Sequence, residues 1–297
     1  MSVLAVDLGG TSLKCALVDA TGAVTWAGRH PTGRERGPAA VVATVLDVLV
    51  SMRDRAAAGG SVPRAVGLAV PGLVDATAGV ALWSVNVGWR DVPLRALVEE
   101  RVGLPTALSN DVRAGGLAEA RVSGSDDVLF VPIGTGIASA HVVGGSVVTG
   151  ASGAAGELGH VMVRPGGRTC GCGRRGCLEA EASASAVEAR YREVAGDAVT
   201  AAEVARLAGE GDPVAAGVWG DVVEALADGL GSAAALVDPQ VIVVGGGLAQ
   251  AGDTLFTPLR AALGARSSFL PAPTIVPAAL GDEAGCHGAA LLARALV

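Results

Sequence analysis

Four side chains able to bind a soft divalent cation fall within one short run: His160, Cys170, Cys172 and Cys177 in GELGHVMVRPGGRTCGCGRRGCLE. Three thiolates and one imidazole complete a tetrahedral Cys3His set with no open position, the donor pattern of a structural zinc site rather than a catalytic one. A redox or incidental thiol cluster is the alternative reading of three crowded cysteines, and the nearby histidine and the intervening glycines weigh against it. Cys15 and Cys286 stand apart and read as small buried apolar residues. An odd number of cysteines, with three of the five gathered as ligands, points to metal rather than disulfides and to a reducing, cytoplasmic setting.

Glycine turns form a second chemical signal. Gly9-Gly10-Thr11, Gly134-Thr135-Gly136 and Gly245-Gly246-Gly247 each follow an apolar strand-like run. Turns of this kind let backbone N–H groups approach a polyphosphate without a side chain in the way, although a lone glycine turn more often only reverses the chain. Asp7, just before the first turn, can hold Mg2+ through water or bond to its own turn backbone. Asn110-Asp111 stands where a short strand meets a helix; either residue can cap that helix, and a carboxylate there can also accept the proton of a sugar hydroxyl attacking a γ-phosphate. Glu157 and Glu179 flank the metal run. Folding that loop around a cation would bring them near one imidazole as a grip for polyol hydroxyls, the plainer reading being solvated glutamates.

Composition narrows the field. The 297 residues carry a formal net charge of −7 and eight aromatic side chains, both contrary to nucleic-acid binding. The single lysine, Lys14, follows Leu13 rather than Gly, which excludes a Walker A loop, and no G-x-S-x-G or H-E-x-x-H occurs. The longest uncharged stretch, Val128 to Gly156, contains seven glycines and lacks the ~20 apolar residues of a spanning helix, so no membrane segment is expected. A zinc-ribbon nucleic-acid binder is disfavoured by the charge and by the single cysteine cluster.

These groups need elements to position them. Val3 to Val18 and Val128 to Val143 read alike: strand, Gly/Thr turn, strand. Such likeness suggests a duplicated domain, the alternative being chance self-similarity of an Ala/Gly/Val-rich chain. Helices are expected over Ala39–Ala57, Leu94–Arg101, Val112–Val122, Ala182–Ala195, Asp212–Leu236 and Gly288–Leu296. Strands are expected over Arg64–Val70, Thr106–Ser109 and Val241–Val244, with mobile loops over His30–Pro38 and Gly144–Gly159. Strands alternating with helices mean an α/β sheet structure.

DLGGTSLK, NDVRAGGLAE, IGTGIASA, the GELGH…CGCGRRGCLE block, VVGGGLAQAG and LGDEAGCHGAALLA together resemble the ROK family of sugar kinases and sugar-responsive repressors, most of all its zinc-containing bacterial glucokinases. The resemblance implies a bilobal actin-like ATPase fold (ribonuclease H-like, duplicated), with residues 1–110 plus 286–297 as the small lobe and 111–285 as the large lobe carrying the zinc loop. It implies transfer of a phosphoryl group from ATP with Mg2+ to a hexose, glucose first and N-acetylmannosamine, N-acetylglucosamine, fructose or allose as alternatives. Asp111 would be the general base, and Gly72, Asn86, Asn110, Glu157, His160 and Glu179 would hold the sugar. His160 would serve zinc and sugar at once. Asp7, Gly9, Gly10, Thr11, Gly134, Thr135 and Gly136 would face the phosphates and Mg2+, and Gly245, Gly246 and Gly247 the adenosine. A homodimer or homotetramer without nucleic-acid or membrane partners is implied. A non-catalytic sugar-binding member is the rival reading, and a repressor would need a helix-turn-helix ahead of the turn at Gly9. Ile137-Ala138-Ser139 departs from the further glycines of many relatives.

Overall fold

The computed structural model describes residues 2–267 and 271–297, which divide into two compact units. The first comprises residues up to Ala118 with Thr149–Ala155 and Asp282–Val297; the second comprises Glu119–Val148 and Gly156–Gly281.

In the first unit β1 (Ser2–Leu8) turns at Gly9–Thr11 into β2 (Ser12–Val18), and β3 (Val24–Pro31) extends the antiparallel meander. Helix α1 (Pro38–Ala58) then crosses over to β4 (Pro63–Val70), parallel to β1. Three short strands, β5 (Leu73–Asp75), β6 (Val80–Ser84) and β7 (Trp89–Val92), form a separate antiparallel sheet. Helix α2 (Leu94–Val102) leads to β8 (Thr106–Asn110), parallel to β4, and α3 (Asp111–Ser123) follows without a loop.

The second unit repeats the plan. Strands β9 (Val128–Pro132), β10 (Ala140–Val143) and β11 (Ser146–Val147) form its meander, and α4 (Leu178–Ala182), α5 (Ala184–Ala195), α6 (Ala201–Gly209) and α7 (Pro213–Val237) precede β12 (Val241–Gly245). Helix α8 (Asp253–Arg266) and β13 (Thr274–Pro277) complete it, and α9 (Ala284–Arg294) returns the chain to the first unit. The sheet orders correspond strand for strand, β3-β2-β1-β4-β8 and β11-β10-β9-β12-β13. In both, a hairpin is followed by two parallel additions, so the sequence likeness between Val3–Val18 and Val128–Val143 reflects a repeated fold.

Residue alternation explains what each face of β1 carries. Leu4, Val6 and Leu8 join Val41, Val45, Leu49 and Met52 of α1 in one core; the α1 residues recur at helical spacing and follow Pro38 at the first helical position. Val3 and Ala5 point the other way, into a core with Ala289, Ala290 and Ala293 of α9. Asp7 shares that second parity, and its carboxylate packs against Gly285. The core of the second unit stands on Val131, Ile242 and Val244 of the sheet and Val222, Leu226 and Leu230 of α7.

The expected elements are present with altered ends. Ala182–Ala195 is two helices, because Ser183 adopts an extended conformation and its hydroxyl caps α5 by accepting from Ala186 N–H. The last helix begins at Ala284 rather than Gly288 and ends at Arg294. His30 and Pro31 belong to β3, paired with Leu13 and Ser12, and the glycine-rich stretch after Gly144 contains β11. No helix among the described residues is long and apolar enough to cross a membrane.

Small residues let α9 lie almost on the sheet: a Cβ at Gly67 of β4 would overlap the backbone carbonyl of Ala289, and one at Gly288 would overlap that of Ala114. Neither obstacle is a side chain that can swing away. Gly67→Ala is therefore expected to destabilise the protein by about 3 kcal/mol, read as a lower urea midpoint at unchanged m-value. An unchanged midpoint would show that α9 can retreat freely.

Candidate functional site

The chemical groups of the first unit lie at strand ends. Asp7 stands one residue before the end of β1, and the hairpin register sets it opposite Lys14. Lys14 Nζ stands 3.5 Å from Asp7 Oδ2 and 3.8 Å from Asp282 Oδ2, and it donates to the Asp282 carbonyl. Asp7 is only 7% exposed; burial raises its carboxyl pKa above the usual range, and the Lys14 ammonium partly offsets that rise. The following turn is closed by Gly9 N–H donating to Ser12 O at 2.9 Å and held to the end of β3 by Thr32, whose hydroxyl donates to Gly9 O at 2.8 Å.

β4 and β8 run side by side, with Val70 opposite Asn110, so Pro71-Gly72 and Asn110-Asp111 leave the sheet together. Asn110 Nδ2 donates to Gly72 O and to Asp111 Oδ1, both at 3.0 Å, while Asn110 Oδ1 accepts Arg113 N–H at 3.1 Å. Asn110 is thus the N-cap of α3, and Asp111 is the helix's first residue, its Oδ1 also accepting Val112 N–H at 2.8 Å. Burial, then the charge of Asp7, push the Asp111 carboxyl up to about 7 against these hydrogen bonds, even though part of its surface stays open. A carboxylate tuned to neutrality at a strand end is suited to take a proton from a hydroxyl. Asn86 lies exposed in the turn between β6 and β7.

In the second unit, two glycine turns stand side by side at the end of neighbouring strands. Ile133 N–H donates to Gly245 O at 2.9 Å, Leu248 N–H donates to Ile133 O at 3.0 Å, and a Cβ at Gly246 would collide with the Ile133 backbone. Gly134 N–H closes on Gly136 O at 2.9 Å, leaving Thr135 exposed at the tip. Gly156 and Gly159 pack on the Ser139 and Ile137 carbonyls, and Ser139 N–H donates to Gly156 O at 2.7 Å. Ile137-Ala138-Ser139 therefore backs the segment that carries Glu157 and His160.

The metal-type cluster is assembled. Ligand atoms of His160, Cys170, Cys172 and Cys177 all lie within 4.8 Å of one another. Cys170 Sγ is 3.6 Å from His160 Nδ1, and Cys172 Sγ is 3.7 Å from Cys177 Sγ. A tetrahedron with Zn–S bonds of about 2.3 Å has edges of about 3.8 Å, so the donor set and its spacing fit zinc. The Arg174 backbone N–H and side chain beside Cys172 lower that thiol to about 6, toward the thiolate a metal takes. With Nδ1 turned to the sulfurs, His160 Nε2 faces Glu157, 3.9 Å from Oε2. Glu179 is directed elsewhere: its Oε2 accepts Ile137 N–H at 3.0 Å.

Two polar residues escaped the sequence reading. Lys14 was legible in principle, because counting the hairpin outward from Gly9–Thr11 sets the chain's only lysine opposite Asp7. Arg113, 6% exposed, donates to Gly153 O at 2.6 Å and Ala155 O at 3.0 Å. Nothing local in the sequence signals those partners.

The ROK family profile matches residues 3–296. The crystal structure of a ROK hexokinase from Thermus thermophilus is similar with a TM-score of 0.89 at 35% identity, over 100% of this chain and 99% of that one. A ROK family glucokinase from Streptomyces griseus, solved with glucose and AMPPNP, gives 0.82 at 30% identity, over 99% of this chain and 100% of its own. N-acetylmannosamine kinase of Shigella flexneri is 35% identical over 84% of this chain and 85% of that protein. Together with the repeated sheet order, these likenesses assign the duplicated, actin-like ATPase (ribonuclease H-like) α/β fold.

Two measurements follow from the charges and thiols. Purified protein is expected to hold one zinc per chain by atomic emission. Cys177→Ser is expected to lose it and to lower the unfolding midpoint by more than about 5 °C; metal-free wild type of equal stability would refute the assignment. Because the Asp111 carboxyl rises from 3.8 to about 7 on folding, its contribution to stability is complete below about pH 4 and is lost as pH climbs through 7. Asp111→Asn is therefore expected to raise the ligand-free unfolding midpoint by about 2 °C or more at pH 8 and to leave it nearly unchanged at pH 4. Equal midpoints at both pH values would show that Asp111 is not strained.

Proposed function

The chain belongs to the ROK family, and from that premise we propose that it is an ATP-dependent hexose kinase that phosphorylates glucose with Asp111 as general base. The observation that carries the reading is the Asp111 carboxylate at the N-terminus of α3, held by Asn110 and raised to about 7. A group of that pKa is ionised often enough to accept the proton of an attacking hydroxyl and is basic enough to keep it in the transition state.

Phosphoryl transfer leaves little covalent work to the protein, so the remaining residues position and neutralise. Gly72, Asn86, Asn110, Glu157, His160 and Glu179 are the residues proposed to bind the sugar hydroxyls. Asn110 spends both amide hydrogens on Gly72 O and Asp111 Oδ1, so it offers the sugar an acceptor. His160 presents Nε2, its tautomer set by the metal-side nitrogen. Gly9, Gly10, Thr11, Gly134, Thr135 and Gly136 receive the phosphates, and Gly245, Gly246 and Gly247 the adenosine. Mg2+ bound with the nucleotide neutralises phosphate charge, and Asp7 would hold it through water, with Lys14 beside it limiting the build-up of negative charge. Zinc held by His160, Cys170, Cys172 and Cys177 would serve structure, since four protein donors leave no position for substrate.

A second hexose, N-acetylmannosamine, is favoured by the 35% identity to the Shigella kinase. A coupled ADP-release assay over a hexose panel separates the two, with glucose expected to give the highest kcat/KM. Asp111→Ala is expected to lower kcat by about 10² to 10⁴ while calorimetric glucose binding stays within about tenfold of wild type. The wild-type kcat/KM for glucose is expected to fall about tenfold per pH unit below pH 7, reporting the carboxyl of the free enzyme. A variant turning over within about tenfold of wild type would discard Asp111 as the base.

A further inference from the structure

Glu179 carries a contact that sugar binding does not require. Its carboxylate is joined to the backbone of the Gly134-Thr135-Gly136 turn, where Oε2 accepts Ile137 N–H at 3.0 Å. Any Cβ at Gly136 would stand 2.5 Å from that oxygen, so glycine at this position is what lets the carboxylate in. The other end of the turn is tied to the same stretch of chain, with Ala184 N–H donating to Gly134 O at 2.8 Å. The turn is thus gripped at both ends by the segment running from α4 through Ser183 into α5. That segment is itself anchored next to the metal-type cluster: Cys177 immediately precedes α4, and Leu178 N–H donates to Val161 O at 2.9 Å, one residue beyond His160.

We infer that Glu179 is a positioning residue for the Gly134–Gly136 turn, holding its backbone in the shape that receives the nucleotide phosphates, so that nucleotide affinity depends on a side chain assigned to the hexose. The inference rests on the reading of that turn as a phosphate site. A carboxylate has two oxygens, and with Oε2 committed to Ile137 the sugar is left Oε1. One group then reaches the sugar directly and the nucleotide through the turn, and ordering it for one orders it for the other. A charge-assisted hydrogen bond to a part-buried backbone N–H is strong enough to shift an equilibrium about tenfold or more.

The test uses the full chain without sugar, with AMPPNP as the nucleotide probe. Amide hydrogen exchange is followed on peptides covering residues 133–139, and AMPPNP affinity by calorimetry, for wild type, Glu179→Ala and Glu179→Gln. Glu179→Ala is expected to speed exchange at Ile137 and to weaken AMPPNP about tenfold. Glu179→Gln keeps an acceptor oxygen and is expected to retain both protection and AMPPNP affinity within about threefold. Unchanged exchange in Glu179→Ala would overturn the positioning role, as would equal loosening by Glu179→Gln, which would trace the effect to charge instead of the hydrogen bond. Faster exchange with unchanged AMPPNP affinity would leave Glu179 holding the turn but would overturn the reading of that turn as a phosphate site, so the two failures are distinct.

Discussion

In the first unit two carboxylates, Asp7 and Asp111, are withdrawn from water; Asp111 feels the charge of Asp7, and Asp7 that of Glu283 and Asp282. Desolvation and like-charge repulsion both favour the protonated forms, and the surrounding structure answers them unequally. Asp7 receives the lysine across its hairpin, whereas among the described residues Asp111 receives N–H groups from Val112 and Asn110 and no cation. That inequality separates their chemistry, since the carboxylate without a cation is the one pushed up to about 7. Local stability is sacrificed where reactivity is needed, as expected of a group that must pick up a proton.

The second unit solves a different problem, how to hold glycine-rich backbone in a defined shape. Glycine turns lose much conformational freedom on ordering and have no side chains with which to anchor themselves. Here the anchors come from neighbours. The Gly245–Gly247 turn interlocks with Ile133, and the Gly134–Gly136 turn is tied to Glu179 and Ala184. The four metal-type ligands converge just ahead of α4, and a cation held there would give a short, loop-rich segment the rigidity that its small apolar content cannot supply.

Much of this was legible along the chain. The ligand set falls within one short run, and its donor types and count already imply a closed tetrahedral site. The principal helices and the central strands followed from spacing, and the duplication from two strand-turn-strand segments. The small sheet β5-β6-β7, the helices α6 and α8 and the edge strands β3 and β13 were not legible. They are short, or carry no clean alternation, and are stabilised by what they pack against more than by their own pattern.

Residue order supplies the inventory: which donors, turns and acids exist, and which lie near one another along the backbone. Their partners are chosen by folding. Ile137 and Glu179 are separated by 42 positions, and no local periodicity encodes that meeting; the carboxylate reaches the turn because α4 is anchored beside Val161 and Gly136 leaves room. The Asp111 carboxyl likewise has no unusual pKa as a residue type, and acquires one only when the fold removes its water and brings Asp7 near. Residue identity sets which charges and hydrogen bonds are available, whereas desolvation and pairing depend on distances through space that exist only once the chain has folded.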